Sequence, residues 1–213
     1  MSIKGFLQTA AVAAIVAGSA TAQDGPIRVG VVTPISGTYA GIGQQVSWGL
    51  DLAAEEINAS GGIMGRQIEL IYEDSEANPA VAVQKAEKLM TAEDVDFLTG
   101  TVNSGATLAV GQVAERAGKL LATTVSFSDA ITGEKCSPNV FRVNARAGQQ
   151  SAALAAWVES EKPGAKVFYL GPDYEMGRST VAAFGVHGFS RISDLTMPFF
   201  TIPKIKRRAF RDI

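Results

Sequence analysis

The chain has 213 residues, 46% of them hydrophobic and 19% charged, which excludes disordered and collagen-like classes and suits one folded domain or a little more. The formal charge of −2 is unevenly spread: from Gly185 on, Arg191, Lys204, Lys206, Arg207, Arg208 and Arg211 stand against only Asp194 and Asp212, a net +4 that leaves −6 for the remainder. An acidic body argues against nucleic acid as the partner.

The first residues read as an export signal. Lys4 precedes an apolar run from Phe6 to Val16, and Ala20, Thr21 and Ala22 form the small-x-small pattern that signal peptidase cuts. Residues 1–22 are therefore expected to be a signal peptide cleaved after Ala22, with the periplasm as destination and no lipid anchor, because no cysteine follows the cut. The apolar run is too short to span a bilayer. Cys136 is the only cysteine, so no intramolecular disulfide can form; the expectation is a half-buried bystander.

"IRVGVVT" (Ile27 to Thr33) is an apolar, β-branched run that reads as a buried strand, with "PISGTYAGIG" as its exit loop. Val46, Leu50, Ala53, Ala54 and Ile57 recur at helical spacing, and the glycines of "SGG" stop that helix. "QIELIYED" is the second strand. Asn78 and Pro79 are a cap and first-turn pair for a helix to about Thr91, and "VDFLTG" is the third strand. A helix then runs from about Ser104 to Ala117 and Gly118 ends it. "KLLATT" is the fourth strand with "VSFSDA" as its exit, "NVFRVN" the fifth, Gln149 to Ser160 a helix, "AKVFYLG" the sixth strand, and "DYEMGRSTVAAF" a loop entering another helix. This alternation with short connections predicts an α/β fold, a parallel sheet with helices on both faces. The ligand crevice of such a sheet lies beyond the carboxyl ends of its strands, at the switch point. The Gly/Ser/Thr-rich exits of strands one, three and four are expected to meet there.

Two roles stand open for Ser104. A helix start with free N–H groups and a hydroxyl suits a carboxylate or phosphate, and the same serine could simply cap its helix. Gly37, Gly41 and Gly43 lack the dinucleotide spacing, and no glycine run precedes Lys-Ser or Lys-Thr, so Asp74 is assigned to bracing a loop or capping rather than to a ribose. His187 is the only histidine, and Ser104 has no nucleophile-elbow context. Neither a histidine cluster nor a cysteine pair offers a metal site. No catalysis, no cofactor and no metal are expected.

The stretch "IRVGVVTPISGTYAGIGQQVSWGLDLAAEEINASGGIMGRQIELIYEDSEANPAVAVQKAEKLM", with "DYEMGRS" further on, closely resembles the periplasmic branched-chain amino-acid (Leu/Ile/Val) binding proteins, the type I solute-binding components of ABC transporters. The likeness runs from about Ile27 to Phe184. It implies two α/β lobes closing on an amino acid or related small carboxylate, delivered to an ABC permease in the membrane. Residues 23–144 would be a largely complete first lobe and residues 145–184 the start of a second. Ser104 falls on the serine that binds the ligand carboxylate, and the loop Val125, Ser126, Phe127 on the one giving backbone contacts to carboxylate and ammonium. Phe127 stands where many members have threonine, Met176 where many have an aromatic, and Ile42 where a tyrosine can occur. Tyr39 or Tyr174 would then supply the ring. A ligand-sensing module of the same fold, or less readily a small α/β enzyme, are the other readings.

The likeness stops after Phe184. "GVHGFSRISDLTMPFFTIPKIKRRAFRDI" shows no strand and helix alternation. Residues 185–213 are expected to be an anomalous basic tail, frame-shifted or truncating the second lobe, the alternative being a genuine extension. With most of the second lobe missing, including the acidic group that would pair with a ligand ammonium, weak or no binding is expected.

Overall fold

The computed structural model describes residues 25–165, 167 and 171–187, together with the backbone of a two-residue strand at Thr196–Met197. The expected signal peptide, most of "AKVFYLG" and the basic run "KIKRRAFR" lie outside the described residues. In chain order the elements are β1 (Ile27–Thr33), α1 (Ala40–Ala59), β2 (Ile68–Asp74), α2 (Pro79–Thr91), β3 (Phe97–Gly100), α3 (Ser104–Arg116), β4 (Leu120–Thr123), a 3-10 turn (Asp129–Thr132), β5 (Val140–Arg142), α4 (Ala147–Glu161), β6 (Gly171–Pro172), α5 (Glu175–Gly185) and β7 (Thr196–Met197).

β1 to β5 form one parallel sheet in the order β2-β1-β3-β4-β5. The chain moves outward from β1 to β2 and then returns past β1 to β3, so the switch point lies between β1 and β3. Two adjacent residues of β2 show that helices cover both faces. The Tyr72 hydroxyl donates to Asp51 of α1 at 2.6 Å, whereas Glu73 pairs with Lys85 and Lys88 of α2. Successive strand side chains point to opposite faces, so α1 and α2 lie on opposite sides. On the α2 side, Val32, Leu89, Val95, Leu98, Val110 and Leu121 close into a fully buried core between the sheet and the α2/α3 pair. On the α1 side, Leu120 and Phe141 of β4 and β5 stay 47% and 53% exposed.

The local signals act as the sequence suggests. Asn78 accepts from the Ala80 and Val81 N–H groups with Pro79 in the first turn, and Gly118 ends α3 with φ of +65°. Three expectations need correction. The buried side of α1 runs through Gly43 and Ala54 with Leu50 and Ile57 half-buried, which leaves Ala53 exposed, one residue off that line. Cys136 is exposed, because it sits in the turn before β5, its N–H donating to the Gly133 carbonyl at 3.1 Å. The stretch after Gly185 does contain a strand: β7 pairs in parallel with β6, Gly171 opposite Thr196.

Glu73 gives the sheet a pH dependence. Its side chain is only 11% exposed, and hydrogen bonds from Lys85 and Lys88 hold its carboxyl below the ordinary glutamate value. A carboxyl depressed in the folded state stabilises the fold above its unfolded pKa, and that contribution is lost as pH falls through the folded value. The melting temperature of the native chain should therefore fall more steeply than that of Glu73→Gln once the pH drops below about 4.5. Parallel melting curves across that window would remove Glu73 from the acid response.

Candidate functional site

The exits of β1, β3 and β4 lie side by side at the carboxyl edge. Asp74, at the end of β2, braces the β1 exit: its Oδ1 accepts the Ile35 N–H at 2.9 Å and the Glu76 N–H at 2.8 Å. Burial pushes this carboxyl up, but hydrogen bonds from Ser36, Glu76 and Ile35 outweigh it and leave the pKa below the ordinary aspartate value. The carboxylate thus serves the loop-bracing role rather than a ribose.

The β3 exit is held in a conformation that side chains rarely adopt. Gly100 has φ of +95° and Thr101 +59°, an outlier for a β-branched residue. Several bonds impose it. The Thr101 N–H donates to the Val32 carbonyl at 2.7 Å, its hydroxyl donates to Thr123 Oγ1 at 3.0 Å, and its carbonyl accepts from Thr123 Oγ1 at 3.1 Å and Ser126 Oγ at 2.7 Å. This buried hydroxyl mesh, completed by a Thr107–Ser126 contact, ties the β3 and β4 exits into one piece. Thr33, at the end of β1, is fully buried with its Oγ1 unpartnered among the described residues.

Asn103, not Ser104, caps α3, its side chain accepting the Ala106 N–H at 3.1 Å. Ser104 is the first helical residue, 1% exposed, and its Oγ accepts the Ser128 N–H at 3.2 Å. The hydroxyl is thereby freed from capping and joined to the β4 exit. In that loop the Ser126 hydroxyl is turned inward to the mesh, and three carbonyls already accept bonds. Ser126 O takes Arg142 Nη1 at 2.8 Å and Asn144 Nδ2 at 3.3 Å. Phe127 O takes the Ala147 N–H at 2.7 Å, and Ser128 O takes Arg142 Nη2 at 2.6 Å.

The first turn of α5 closes over these loops. Ser128 Oγ donates to Glu175 Oε1 at 2.7 Å, and the Asp129 N–H donates to Ser179 Oγ at 2.9 Å. Tyr39, just before α1, and Tyr174, just before α5, bring their rings to 6.4 Å at an interplanar angle of 58°, within the tilted geometry that aromatic pairs favour. Burial raises both phenol pKa values, and their mutual hydrogen bond raises that of Tyr174 further. Of the residues singled out from the sequence, Ser104, the 125–127 loop, Tyr39 and Tyr174 flank this crevice. Met176 follows in the first turn of α5, half-buried. Ile42 lies in the first turn of α1, 37% exposed.

Thr101, Thr123, Arg142 and Glu175 are additions of the structure; the Thr-rich strand ends were the only signal for the first two. A second cavity of about 270 Å³ is lined by Leu108, Gln112, Glu115, Lys135, Cys136 and Ser137 among others and shares only Thr107 with the hydroxyl mesh. Among the described residues, no group of three or more His, Cys, Asp or Glu is placed to hold a metal ion.

The sequence model of the family described as "Periplasmic binding protein" matches residues 26–187. The chain belongs to this family. It is 31% identical to Leu/Ile/Val-binding protein homolog 3 of Brucella melitensis over 184 residues, 86% of this chain and 49% of the relative. A solute-binding protein of an R. palustris ABC transporter, solved in complex with benzoate, superposes with a TM-score of 0.76 at 30% identity, covering 87% of this chain and 52% of that one. The branched-chain amino acid transporter substrate-binding protein LivJ of Streptococcus pneumoniae, in complex with isoleucine, gives 0.71 at 29% identity, covering 83% and 51%. The parallel α/β architecture read from the sequence is that of these periplasmic binding proteins. The chain spans about half the length of these relatives.

Proposed function

We propose that the chain is a solute-binding component of an ABC importer for amino acids or related small carboxylates, exported to the periplasm and working with a membrane permease rather than catalysing a reaction. The observation that carries this reading is Ser104: a hydroxyl at the start of α3, at the switch-point crevice, relieved of capping by Asn103 and linked to the β4 exit through the Ser128 N–H. A ligand carboxylate placed there would meet that hydroxyl and the positive end of the α3 dipole. The 125–127 loop forms one wall, and Tyr39 with Tyr174 forms the rim that admits an aliphatic or aromatic side chain. The similar solved structures described above hold benzoate in one case and isoleucine in the other.

Affinity in a two-lobed binder comes from enclosing the ligand, and the described residues supply one wall and the edge of a second. Binding to this chain should be weak, with millimolar dissociation constants for leucine, isoleucine or benzoate in ligand-observed NMR. Ser104→Ala should weaken whichever binds by roughly tenfold, the worth of one charge-assisted hydrogen bond. Unchanged binding in that variant would take Ser104 out of the site, and micromolar or tighter binding by the native chain would overturn the one-sided reading.

A further inference from the structure

We infer that the cavity between α3 and the stretch leading into β5 is a second ligand site, separate from the crevice, that takes a short zwitterionic peptide of about two residues.

The walls are formed before any ligand arrives, as those of small-molecule sites usually are. One wall is a single face of α3, on which Leu108, Gly111, Gln112 and Glu115 recur at helical spacing, and the other runs from Ile131 to Val140. A Cβ on Gly111 would lie 2.8 Å from Val140 Cγ2, so the two walls touch at that pair. Ile131 is 1% exposed, and with Leu108 and Val140 it gives the cavity an apolar lining. The second wall is held by its own backbone: the Lys135 N–H donates to the Ala130 carbonyl at 3.0 Å and the Cys136 N–H to the Gly133 carbonyl at 3.1 Å. Arg142 Nη2 ties the same wall to β5 by donating to Thr132 Oγ1 at 3.2 Å.

Charge sets the chemistry of the occupant. Glu115 stands on the α3 wall and Lys135 on the facing one, and among the described residues neither side chain has an ion-pair or hydrogen-bond partner. A ligand with an anion alone would meet Glu115 as a like charge, and one with a cation alone would meet Lys135, which penalises both. A molecule that carries one of each satisfies both walls.

Size selects among zwitterions. A rounded cavity of about 270 Å³ is about 8 Å across, small for an ordinary ligand site. The charges of an α-amino acid are one carbon apart and cannot reach both walls, whereas the ends of an extended dipeptide lie about 7 Å apart. The apolar lining then receives one of its side chains. Thr107 is the only residue shared with the hydroxyl mesh, so occupancy here can be read apart from occupancy of the crevice.

Cys136 supplies the local readout, because it is the chain's only cysteine, exposed and on the cavity wall. An occupant should slow its alkylation by iodoacetamide, followed by intact mass on the full chain. Glycyl-leucine at about 10 mM should slow the reaction roughly threefold or more, whereas leucine, N-acetylglycyl-leucine and glycyl-leucinamide should each slow it by less than about 1.5-fold. Glu115→Gln and Lys135→Met, both at exposed positions, should each abolish the protection, measured against the same variant without peptide. Ser104→Ala should retain it. Protection by leucine or by either blocked peptide equal to that of glycyl-leucine overturns the assignment to a two-residue zwitterion. No protection by glycyl-leucine, protection that persists in either charge variant, or protection lost in Ser104→Ala overturns the site itself, and none of these results touches the reading of the crevice as a carboxylate site.

Discussion

Gly43→Ala is expected to lower the folding stability by about 3 kcal/mol, at the upper end of what overpacking costs. A Cβ at Gly43 would sit 1.8 Å from the Pro34 carbonyl oxygen and 2.8 Å from its carbon. Both are backbone atoms, so no rotamer change removes the clash, and the start of α1 would have to lift from the β1 exit. Two residues away, Gly41 has nothing within 4 Å of its would-be Cβ. In Gly41→Ala the helix propensity gain of alanine should show alone, about 1 kcal/mol in the stabilising direction. Urea titration of the two variants isolates the contact from the composition change: the midpoint should fall for position 43 and hold or rise for position 41, with the slope m unchanged in both. The consequence reaches the crevice, because the Gly43 N–H donates to the Tyr39 carbonyl at 3.0 Å, and a displaced α1 takes the Tyr39 ring away from Tyr174. Two variants of equal stability would show that α1 can slide on β1 at no cost.

Where local chemistry determines a feature, the sequence displayed it. Asn78 and Pro79 marked the start of α2, the runs "IRVGVVT" and "QIELIYED" marked two strands, the first buried and the second half-buried at the sheet edge, and regular alternation was enough to call for the parallel sheet with helices on both faces that the structure has. The family resemblance, read from "INASGGIMGRQIEL" and "DYEMGRS", agrees with a family match over residues 26–187. What escaped the sequence depends on meetings between distant segments. Asn103 rather than Ser104 caps α3, a choice between two good cap residues that backbone angles make, with Asn103 extended and Ser104 already helical. Glu175 carries no signal of its own in the sequence, and only α5 brings it to Ser128, 47 positions away. The unusual φ of Thr101 has no signal in its own neighbourhood, since the bonds that impose it come from β1 and β4. Cys136 misled because free cysteine is among the most buried residue types, and a turn overrode the tendency.

Arg142→Met should be the second most damaging change, at about 3 kcal/mol, and should act on the crevice rather than on the core. The Arg142 side chain is half-buried, and its fork reaches Ser126 O at 2.8 Å, Ser128 O at 2.6 Å and Thr132 Oγ1 at 3.2 Å. Methionine keeps much of the packing volume but supplies no donor, so the Ser128 carbonyl loses this partner and the Ser126 carbonyl retains only the longer bond from Asn144. Leaving buried acceptors unmet costs about 1–3 kcal/mol each. Lysine in the same place carries the charge without the planar fork and can reach one carbonyl but not both, so Arg142→Lys should recover about half the loss. The distinguishing readout is hydrogen exchange at the Ser128 amide, which donates to Ser104. In Arg142→Met that amide should exchange at least tenfold faster than its fall in global stability accounts for, while the Leu98 amide in the buried core tracks global unfolding alone. Equal acceleration at both amides would make Arg142 a general stabiliser. Selective acceleration at Ser128 would mean that the geometry joining Ser104 to Glu175 is set from β5, by an arginine whose own bonds go to the Ser126 and Ser128 carbonyls and Thr132.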